Sequence, residues 1–261
     1  MTPEKVREAA RFLLSARGDH RLIEAIPEAC RPKDVEEAYA IQDALVAEWG
    51  IDVGGWKIGA STPEWQKKVG VKEPMAGRLL KPFMYESGVE LEGRAFHIRI
   101  VESEYGFHLG RDLPARDKPY TREDVEDAVD AVHCAMELAD SRYKSGLAID
   151  APSLIADNAI GAAFVRGPAV ANWRKADLAG NPVKLLIDGK VAAEGKGEEA
   201  GGHPILPLVW LANDRRKRGD GLKAGMFVIT SSCTGVYRCA SPAKAVADYG
   251  PFGKVEVTFT A

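Results

Sequence analysis

Apolar residues recur every three or four positions along the first fifty residues, which is the spacing of one face of an α-helix. The first helix is predicted to begin at Thr2 and Pro3, an N-cap and a first-turn proline, and to end at Gly18. A second helix begins near Asp34 and ends at Gly50. The N-terminal part of the chain is therefore expected to be helical.

After residue 50 the pattern changes, and strand-like segments dominate from residue 89 onward. The predicted elements are a strand at 53–58, a short helix at 62–69, a loop at 73–82, a helix from 121 to about 132, a helix at 203–218, and three or four strands within 226–260 that end with 254–260. Regular alternation of strand and helix is missing, which argues against a Rossmann or TIM-barrel architecture.

The fold class predicted from this order is α+β, with a mixed, β-rich core and an N-terminal helical region. Residues 1–80 are expected to form the helical region and residues 81–261 the β-rich catalytic core. The two parts are expected to pack together as one structural domain.

Composition narrows the classes of partner. The chain has 261 residues, of which 46% are hydrophobic and 28% charged, as in ordinary globular proteins. With 35 Lys and Arg against 38 Asp and Glu, the net charge is −3, so neither nucleic acid nor a membrane surface is expected as a partner. No apolar run approaches the ~20 residues that span a bilayer. The charged N-terminus and four scattered cysteines without a C-x-x-C pair favour a reduced, cytoplasmic location.

The segment 96–109 changes character along one face. If it is a strand, alternate side chains share a face, which is apolar up to Ile100 and then carries Glu102 and Glu104. The two glutamates would lie about 7 Å apart along the strand. Unpaired carboxylates facing a core are costly and need cations or protons to persist there, and a divalent cation, Mg²⁺ or Mn²⁺, would meet that need. The alternative is that the strand leaves the core at Val101 and both glutamates are solvated.

Glu137 is the candidate third ligand. His133 precedes it by four residues, so a continuous helix would place both side chains on one face, as in some zinc sites. The helix predicted from Thr121 can instead end earlier, and residues 137–143 then form a strand. His133 is the weaker candidate ligand, because histidines of this kind are more often buried or exposed without a metal.

Several other polar residues are candidates for binding a substrate. Lys57 lies within the glycine-rich segment 54–59, where a ligand can approach the backbone closely, although an exposed strand lysine has the same pattern. Ser141 with Arg142, and Asp157 with Asn158, offer side chains that could hold a substrate carboxylate. Arg142 could equally pair with a nearby acid.

Three segments resemble functional motifs without having their essential features. Residues 195–202 are glycine-rich, but the spacing is not that of a phosphate loop and two glutamates would repel phosphate. The basic residues 215–218 lie at a helix end, where they complement the dipole. No G-x-S-x-G motif surrounds Ser231, and Cys233 has no matching histidine, so neither is expected to be a nucleophile.

Five groups of short segments form an ordered series. They are Gly55-Trp56-Lys57-Ile58-Gly59, Val101-Glu102-Ser103-Glu104-Tyr105 with Leu109-Gly110-Arg111-Asp112-Leu113-Pro114, Glu137 with Asp140-Ser141-Arg142, Ala156-Asp157-Asn158, and Gly202-His203-Pro204 with Trp210-Leu211-Ala212-Asn213. In this order they resemble the 2-keto-4-pentenoate hydratase and 4-oxalocrotonate decarboxylase family of the fumarylacetoacetate hydrolase superfamily. The resemblance runs from about residue 5 to the C-terminus, and it rests on the whole series because no single motif is specific.

The resemblance implies a fold like that of the fumarylacetoacetate hydrolase C-terminal domain, usually assembled as a homo-oligomer. It implies that Glu102, Glu104 and Glu137 bind Mg²⁺ or Mn²⁺ and that Lys57 acts in proton transfer. The loop of residues 232–235 is implied to hold substrate, through Ser232 and Thr234. The chain departs from many hydratases of the family at Met75, which follows a proline and cannot serve as an acid.

The leading functional hypothesis is a metal-dependent lyase that adds water to a 2-hydroxy-2,4-dienoate, or its 2-oxo tautomer, in the catabolism of aromatic ring-cleavage products. A 4-oxalocrotonate-type decarboxylase would use the same site. A second hypothesis is C–C hydrolysis of an acylpyruvate, for which His108 or His203 would activate water. A third is a non-catalytic, metal-stabilised subunit that scaffolds an enzyme complex, although no ligand or lysine is lost. A complex with a paired hydratase or decarboxylase is a separate expectation for the partners of the chain.

Overall fold

The computed structural model describes residues 1–261 and contains six α-helices and thirteen β-strands. The helices are α1 Pro3–Gly18, α2 Val35–Trp49, α3 Pro63–Val69, α4 Arg122–Ala128, α5 Ala151–Ala156 and α6 Leu206–Arg218. The strands are β1 Val53–Gly59, β2 Met75–Leu80, β3 Met84–Glu86, β4 Val89–Glu92, β5 Ile100–Leu109, β6 Val129–Ala139, β7 Gly161–Ala169, β8 Pro182–Ile187, β9 Lys190–Lys196, β10 Phe227–Ile229, β11 Tyr237–Arg238, β12 Ala243–Asp248 and β13 Lys254–Thr260.

A large mixed sheet of eight strands carries the candidate site. Its order is β2-β1-β10-β5-β6-β7-β3, and the short β11 pairs with the end of β5. The two longest strands, β5 and β6, are antiparallel neighbours at its centre, and Glu102 lies directly opposite Glu137. The register therefore places on adjacent strands two carboxylates that are 35 residues apart in the sequence.

A second sheet of five strands, in the order β4-β13-β12-β8-β9, packs against one face of the first. The main hydrophobic core lies between the two sheets and includes Val101 and Phe107 of β5 and Val257 and Phe259 of β13. Burying one face of β5 in this way leaves the alternate residues, including Glu102 and Glu104, on the opposite face of the sheet.

The N-terminal helices cover the edge of the large sheet at β2. Helices α1 and α2 share a separate apolar cluster with α5, which includes Leu13, Leu45 and Ile155. Polar side chains of α2 also reach the strand: the hydroxyl of Tyr39 accepts a hydrogen bond from the Ala76 amide at 2.9 Å. Gln42 Nε2 donates to the Ala76 carbonyl at 3.0 Å and to the Ile155 carbonyl at 2.7 Å.

The α+β class is confirmed, and so are the two N-terminal helices, the strand after residue 52, the short helix α3 and the four C-terminal strands. The loop predicted at 73–82 is wrong, because Met75–Leu80 forms strand β2. The helix predicted from 121 to about 132 is too long. A capping box of Thr121 and Asp124 starts it, but it ends at Ala128, and the extended Val129 begins β6.

The short helix α5 and strand β3 were not foreseen. Strands β1 and β2 fall within residues 1–80 and yet belong to the large sheet. The division of the chain at residue 80 stays a prediction. None of the helices has the length and apolar character needed to cross a membrane.

Candidate active site

Three glutamates converge on the face of the large sheet that points away from the second sheet. Glu102 and Glu104 are alternate residues of β5, and Glu137 lies on the adjacent β6. One carboxylate oxygen from each lies within 4.8 Å of the others. Oxygen ligands that share one cation at 2.0–2.6 Å lie about 3–5 Å apart, so this spacing is that of a cation site.

A lysine and a backbone amide complete the polar surroundings of the glutamates. Lys57 of β1 brings its ammonium nitrogen to 3.0 Å from Glu137 Oε1. The amide of Ser231 donates to Glu104 Oε2 at 2.9 Å, and the Ser231 hydroxyl donates to the Ile58 carbonyl at 2.8 Å. Ser231 has a φ of +82°, a conformation rare outside glycine, and the two bonds hold it there.

Burial and mutual repulsion shift the acidity of all three glutamates. Burial, with the charge of Glu137, raises the pKa of Glu102 to about 8. Burial, with the charges of Glu137 and Glu102, also raises the pKa of Glu104 well above its usual value, and burial raises the pKa of Glu137. Each proton is retained to higher pH because three carboxylates cannot all be ionised cheaply in one buried place.

Lys57 is buried in the same place. Burial by itself would lower the pKa of its ammonium, but the charges of Glu137, Glu102 and Glu104 outweigh that effect. The pKa therefore lies above the ordinary lysine value, and Lys57 is cationic in the metal-free site.

The residues fit a divalent metal ion. Both carboxylate oxygens of Glu137 are buried and accept no well-formed hydrogen bond, since the approach of Lys57 has the distance of an ion pair without hydrogen-bond geometry. Buried acceptors without donors are costly, and up to three negative charges face the single positive charge of Lys57. A divalent cation would satisfy the orphaned oxygens and balance the charge, and oxygen ligands suit Mg²⁺, Mn²⁺ and Ca²⁺.

A cavity of about 90 Å³ opens in front of Glu102, Glu104 and Lys57. Its wall is mostly apolar away from these residues and comes from α3, α5, the first residue of β2 and the neighbouring loops. The lining side chains beyond the polar end include Trp65, Val69, Met75, Leu147, Leu154, Ile160 and Val236. Ser232 and Glu199 also line it. The cavity therefore has a charged inner end and an apolar outer part, as expected for a small organic acid.

A turn of left-handed backbone forms one side of this cavity. Asn158, Ala159 and Ile160 all have φ between +47° and +57°, which is strained for a β-branched residue such as Ile160. The Asn158 side chain holds the turn against β2, because its Oδ1 accepts from the Arg78 amide at 2.7 Å and its Nδ2 donates to the Arg78 carbonyl at 2.9 Å. Gly77 permits this approach, since a Cβ there would lie 2.3 Å from the Asn158 carbonyl oxygen.

Four of the predicted substrate-binding residues lie around the cavity instead of in its wall. Both oxygens of the buried Asp157 are taken by arginines: Arg142 Nε donates at 2.7 Å and Arg17 Nη2 at 3.0 Å. The Asn158 amide is bonded to β2, as described above. The Ser141 hydroxyl donates to the Gly146 carbonyl at 2.9 Å. Their side chains therefore fix the position of the segment that supplies Leu147, Leu154 and Ile160.

The two residues of the loop 232–235 differ in their placement. Ser232 lines the cavity, and its hydroxyl donates to the Gly235 carbonyl at 2.8 Å. Thr234 turns away and donates from its hydroxyl to Ser103 Oγ at 3.0 Å. Ser232 and Lys57 are thus the predicted substrate-side residues that reach the cavity.

None of the candidate histidines lines the cavity. His108 contacts Asp130 through Nδ1 at 2.6 Å, and His203 lies 3.2 Å from Arg122. His133 is on β6 and contacts the Gly167 carbonyl at 3.0 Å, while the cluster of possible metal ligands contains glutamates alone. Glu137 is on a strand, so the helical pairing of His133 with Glu137 does not form.

Sequence reasoning missed most of the apolar wall and Ser231. Trp65 and Val69 are four residues apart in a predicted helix, so their shared face was a usable signal. Leu154 belongs to the unforeseen helix α5, and Ile160 belongs to a left-handed turn that no sequence pattern predicts. A larger cavity of about 470 Å³ lies beside α1 and is lined by Arg17, Arg142 and several aromatic side chains, but it contains none of the three glutamates.

Comparison with known proteins supports one family. No model of a known protein family matches the chain. The chain is 32% identical over 258 residues to a 2-keto-4-pentenoate hydratase of Burkholderia vietnamiensis, which covers 98% of this chain and 97% of the relative. It is 28% identical over 261 residues to a 4-oxalocrotonate decarboxylase of Pseudomonas putida, which covers 94% of this chain and 92% of that relative.

Solved structures agree with this assignment. The 4-oxalocrotonate decarboxylase of Pseudomonas putida G7, complexed with magnesium and adipate, superposes with a TM-score of 0.92 at 26% identity and covers 99% of this chain and 98% of its own. A fumarylpyruvate hydrolase of Pseudomonas aeruginosa, in complex with Mn²⁺ and pyruvate, has a TM-score of 0.56 at 14% identity, covers 78% of this chain and 88% of its own, and shares the fold. The chain therefore belongs to the 2-keto-4-pentenoate hydratase and 4-oxalocrotonate decarboxylase family.

Proposed function

We propose that the protein is a divalent-metal-dependent hydro-lyase that adds water to a 2-hydroxy-2,4-dienoate and forms a 4-hydroxy-2-oxo acid. The observation that carries the proposal is the convergence of three glutamates and Lys57 at one end of a cavity, whose wall includes Lys57, Glu102 and Glu104. The identity to 2-keto-4-pentenoate hydratases along nearly the whole chain supports the same activity. Such dienoates arise when aromatic rings are cleaved.

Glu102, Glu104 and Glu137 would hold the metal, and we propose Mg²⁺ or Mn²⁺ because carboxylate oxygens suit these ions. When bound, the cation supplies a Lewis acid that neutralises negative charge at the carboxylate end of the substrate. The Ser231 amide orients Glu104, and the Lys57 ammonium contacts Glu137. These contacts fix the polar end of the cavity before the substrate enters.

Lys57 is the proposed proton carrier. Ketonisation removes the proton of the C2 hydroxyl and adds one at C5, which gives a 2-oxo-3-enoate. Carbon 4 of that compound is electrophilic, so the oxygen of water adds there and a proton is added at C3. Lys57 is the only cationic side chain of the cavity wall and is buried, so it can hold and return a proton with little competition from bulk water.

A decarboxylase is the second candidate, because the structure with the TM-score of 0.92 is a 4-oxalocrotonate decarboxylase. Loss of CO₂ from such a substrate would leave the same type of dienolate at the polar end of the cavity. The two activities share the glutamates and Lys57, and they differ in what the outer part of the cavity must hold.

The direct test follows the ultraviolet absorbance of 2-hydroxypenta-2,4-dienoate mixed with purified protein and Mg²⁺ or Mn²⁺. The expected result is rapid loss of absorbance, suppression by EDTA, and a 4-hydroxy-2-oxo acid identified by NMR. The proposal fails if the absorbance is unchanged while a known hydratase consumes the same sample.

We also propose that copies of the chain assemble into a homo-oligomer, as the family resemblance implies, with a paired hydratase or decarboxylase as a further possible partner. Light scattering coupled to size-exclusion chromatography measures the number of copies. A single chain mass at working concentrations would contradict the proposal.

A further inference from the structure

The outer part of the cavity differs from its inner end in charge. Lys57 is the only cationic side chain in the wall, and it lies at the inner end, 3.0 Å from Glu137. A substrate with one carboxylate can place it at this end, where a metal ion would bind. A substrate with a second carboxylate at its far end would find no cationic partner in the wall.

The outer wall is apolar where a second carboxylate would lie. Trp65 and Val69 of α3 form one side, and Leu154 and Ile160 form another. Transfer of an ionised carboxylate to such surroundings is strongly unfavourable without a paired charge or hydrogen-bond donors. The nearby Ser232 hydroxyl already donates to the Gly235 carbonyl, so it offers little compensation.

The mouth of the cavity adds a negative charge. Glu199 ends the short 3₁₀ turn Gly197–Glu199, lines the cavity and is exposed. No lysine, arginine or histidine lies within ion-pair distance of its carboxylate, whereas the adjacent Glu198 is 3.6 Å from Lys196 and does not line the cavity. Glu199 therefore repels an anionic group at the far end of a substrate, and its effect is screened by salt.

We propose that Glu199 is a specificity-determining residue of this cavity, which disfavours substrates with a second carboxylate at the far end, such as 4-oxalocrotonate, relative to dienoates with one carboxylate. The inference rests on the proposed lyase function and goes beyond it by naming a residue that sets the substrate preference. A methyl group at C5 would contact the apolar outer wall, so 2-hydroxyhexa-2,4-dienoate is expected to be accepted.

The test compares kcat/KM for 2-hydroxypenta-2,4-dienoate, 2-hydroxyhexa-2,4-dienoate and 4-oxalocrotonate in the metal-loaded wild-type protein. The two monocarboxylates are expected to be preferred by at least tenfold. In Glu199→Gln, the ratio of the dicarboxylate value to the monocarboxylate value is expected to rise about two- to fivefold, the effect of a partly exposed charge pair. Glu199→Lys is expected to raise it further.

Glu198→Gln is the matched control, because it removes a neighbouring exposed charge outside the cavity and should leave the ratio unchanged. The increase in Glu199→Gln should also disappear in 1 M salt. The inference is overturned if wild-type protein prefers the dicarboxylate, or if the ratio is the same in both variants. Failure to turn over any of the three substrates would instead contradict the proposed function.

Discussion

Lys57 Nζ lies 3.0 Å from Glu137 Oε1, although two strands, β10 and β5, separate the strands that carry them. In a flat sheet, strands three positions apart are about 14 Å apart, at ~4.8 Å per strand. Both side chains also project from the face, so they can meet only if the sheet is curled with this face concave. The curl brings Lys57 into the same enclosed volume as the three glutamates.

Glu104→Gln should abolish metal-dependent activity. The amide keeps the shape of the side chain and removes its charge, so the affinity for a divalent metal should fall. Loss of a residue that only supports a metal ligand typically lowers the affinity about ten- to hundredfold, and loss of a ligand should lower it at least as much. Isothermal titration with Mn²⁺ measures the affinity. Glu90→Gln, an exposed glutamate of β4, is the control, and equal affinities in both variants would contradict the assignment of Glu104.

Lys57→Met should separate catalysis from metal binding. The methionine fills similar space without a proton to transfer, and turnover should fall by about 10²–10⁴-fold, the usual contribution of an acid–base group. Metal affinity should be kept or increased, because a positive charge beside Glu137 is removed. Turnover within a few-fold of wild type would show that Lys57 is not the proton carrier.

Metal binding should release protons and depend on pH. Burial raises the pKa of Glu102 to about 8, so this group retains its proton at neutral pH in the metal-free protein and must lose it when a cation binds. Titration calorimetry in two buffers with different ionisation enthalpies measures the protons released at pH 7. Equal observed enthalpies in the two buffers would contradict the pKa shift.

The same shift sets the sign of the stability change. Between the ordinary glutamate pKa and about 8, the folded metal-free protein binds the proton of Glu102 more tightly than the unfolded chain does. Stability should therefore fall as the pH rises through this window, by up to about 1.4 kcal/mol per pH unit for one such group. The increase in Tm caused by Mn²⁺ should accordingly be larger at pH 8 than at pH 5.5, as measured by differential scanning calorimetry.

Asp157→Asn should destabilise the fold. The substitution leaves Arg17 and Arg142 buried without the carboxylate that both contact, and breaking a buried ion pair costs about 3–5 kcal/mol. Urea denaturation measures the loss in the free energy of unfolding. Asp43→Asn removes an exposed partner of Arg78 and should cost less than about 1 kcal/mol, so similar losses in the two variants would contradict this account.

Tyr249→Phe tests whether a residue next to the second sheet stabilises the strands that carry the glutamates. Tyr249 directly follows β12 of that sheet. The Tyr249 hydroxyl is buried and lies 2.6 Å from the Glu104 carbonyl oxygen and 2.7 Å from that of Ala135. Its removal should lower the free energy of unfolding by about 1–3 kcal/mol, because the two buried carbonyls that share its single proton lose their donor. Chemical denaturation checks this, and an unchanged midpoint would mean that water replaces the hydroxyl.

The sequence was most informative where a short local pattern determines the arrangement of side chains or the end of a helix. Alternation along a strand places Glu102 and Glu104 on one face, and the N-caps and glycines define both N-terminal helices. The contact between Glu137 and Lys57 depends on strand order and on the curl of the sheet, which no local pattern contains. The family resemblance supplied that grouping before the structure did.

Other features could not be predicted from the sequence, because the same polar residue can bind a substrate or form an internal ion pair. Asp157 and Arg142 have the chemistry of substrate ligands, but in the folded protein they neutralise each other in the interior. Pro74 and Gly77 led to the prediction of a loop after residue 72, but Gly77 lies in strand β2. A glycine is needed there because the backbone of Asn158 passes too close to leave room for a Cβ. These outcomes depend on tertiary contacts that form only after the chain has folded.

Strand β2 lies at one end of the large sheet, where unpaired amides and carbonyls would otherwise face outward. At Ala76 they are bonded to Tyr39 and Gln42, and at Arg78 to the side chain of Asn158. Side chains thus occupy the edge that another strand would use. Helix α2 consequently protects the protein against edge-to-edge aggregation, and a shortened chain without α2 would expose an unpaired strand directly beside β1, which carries Lys57.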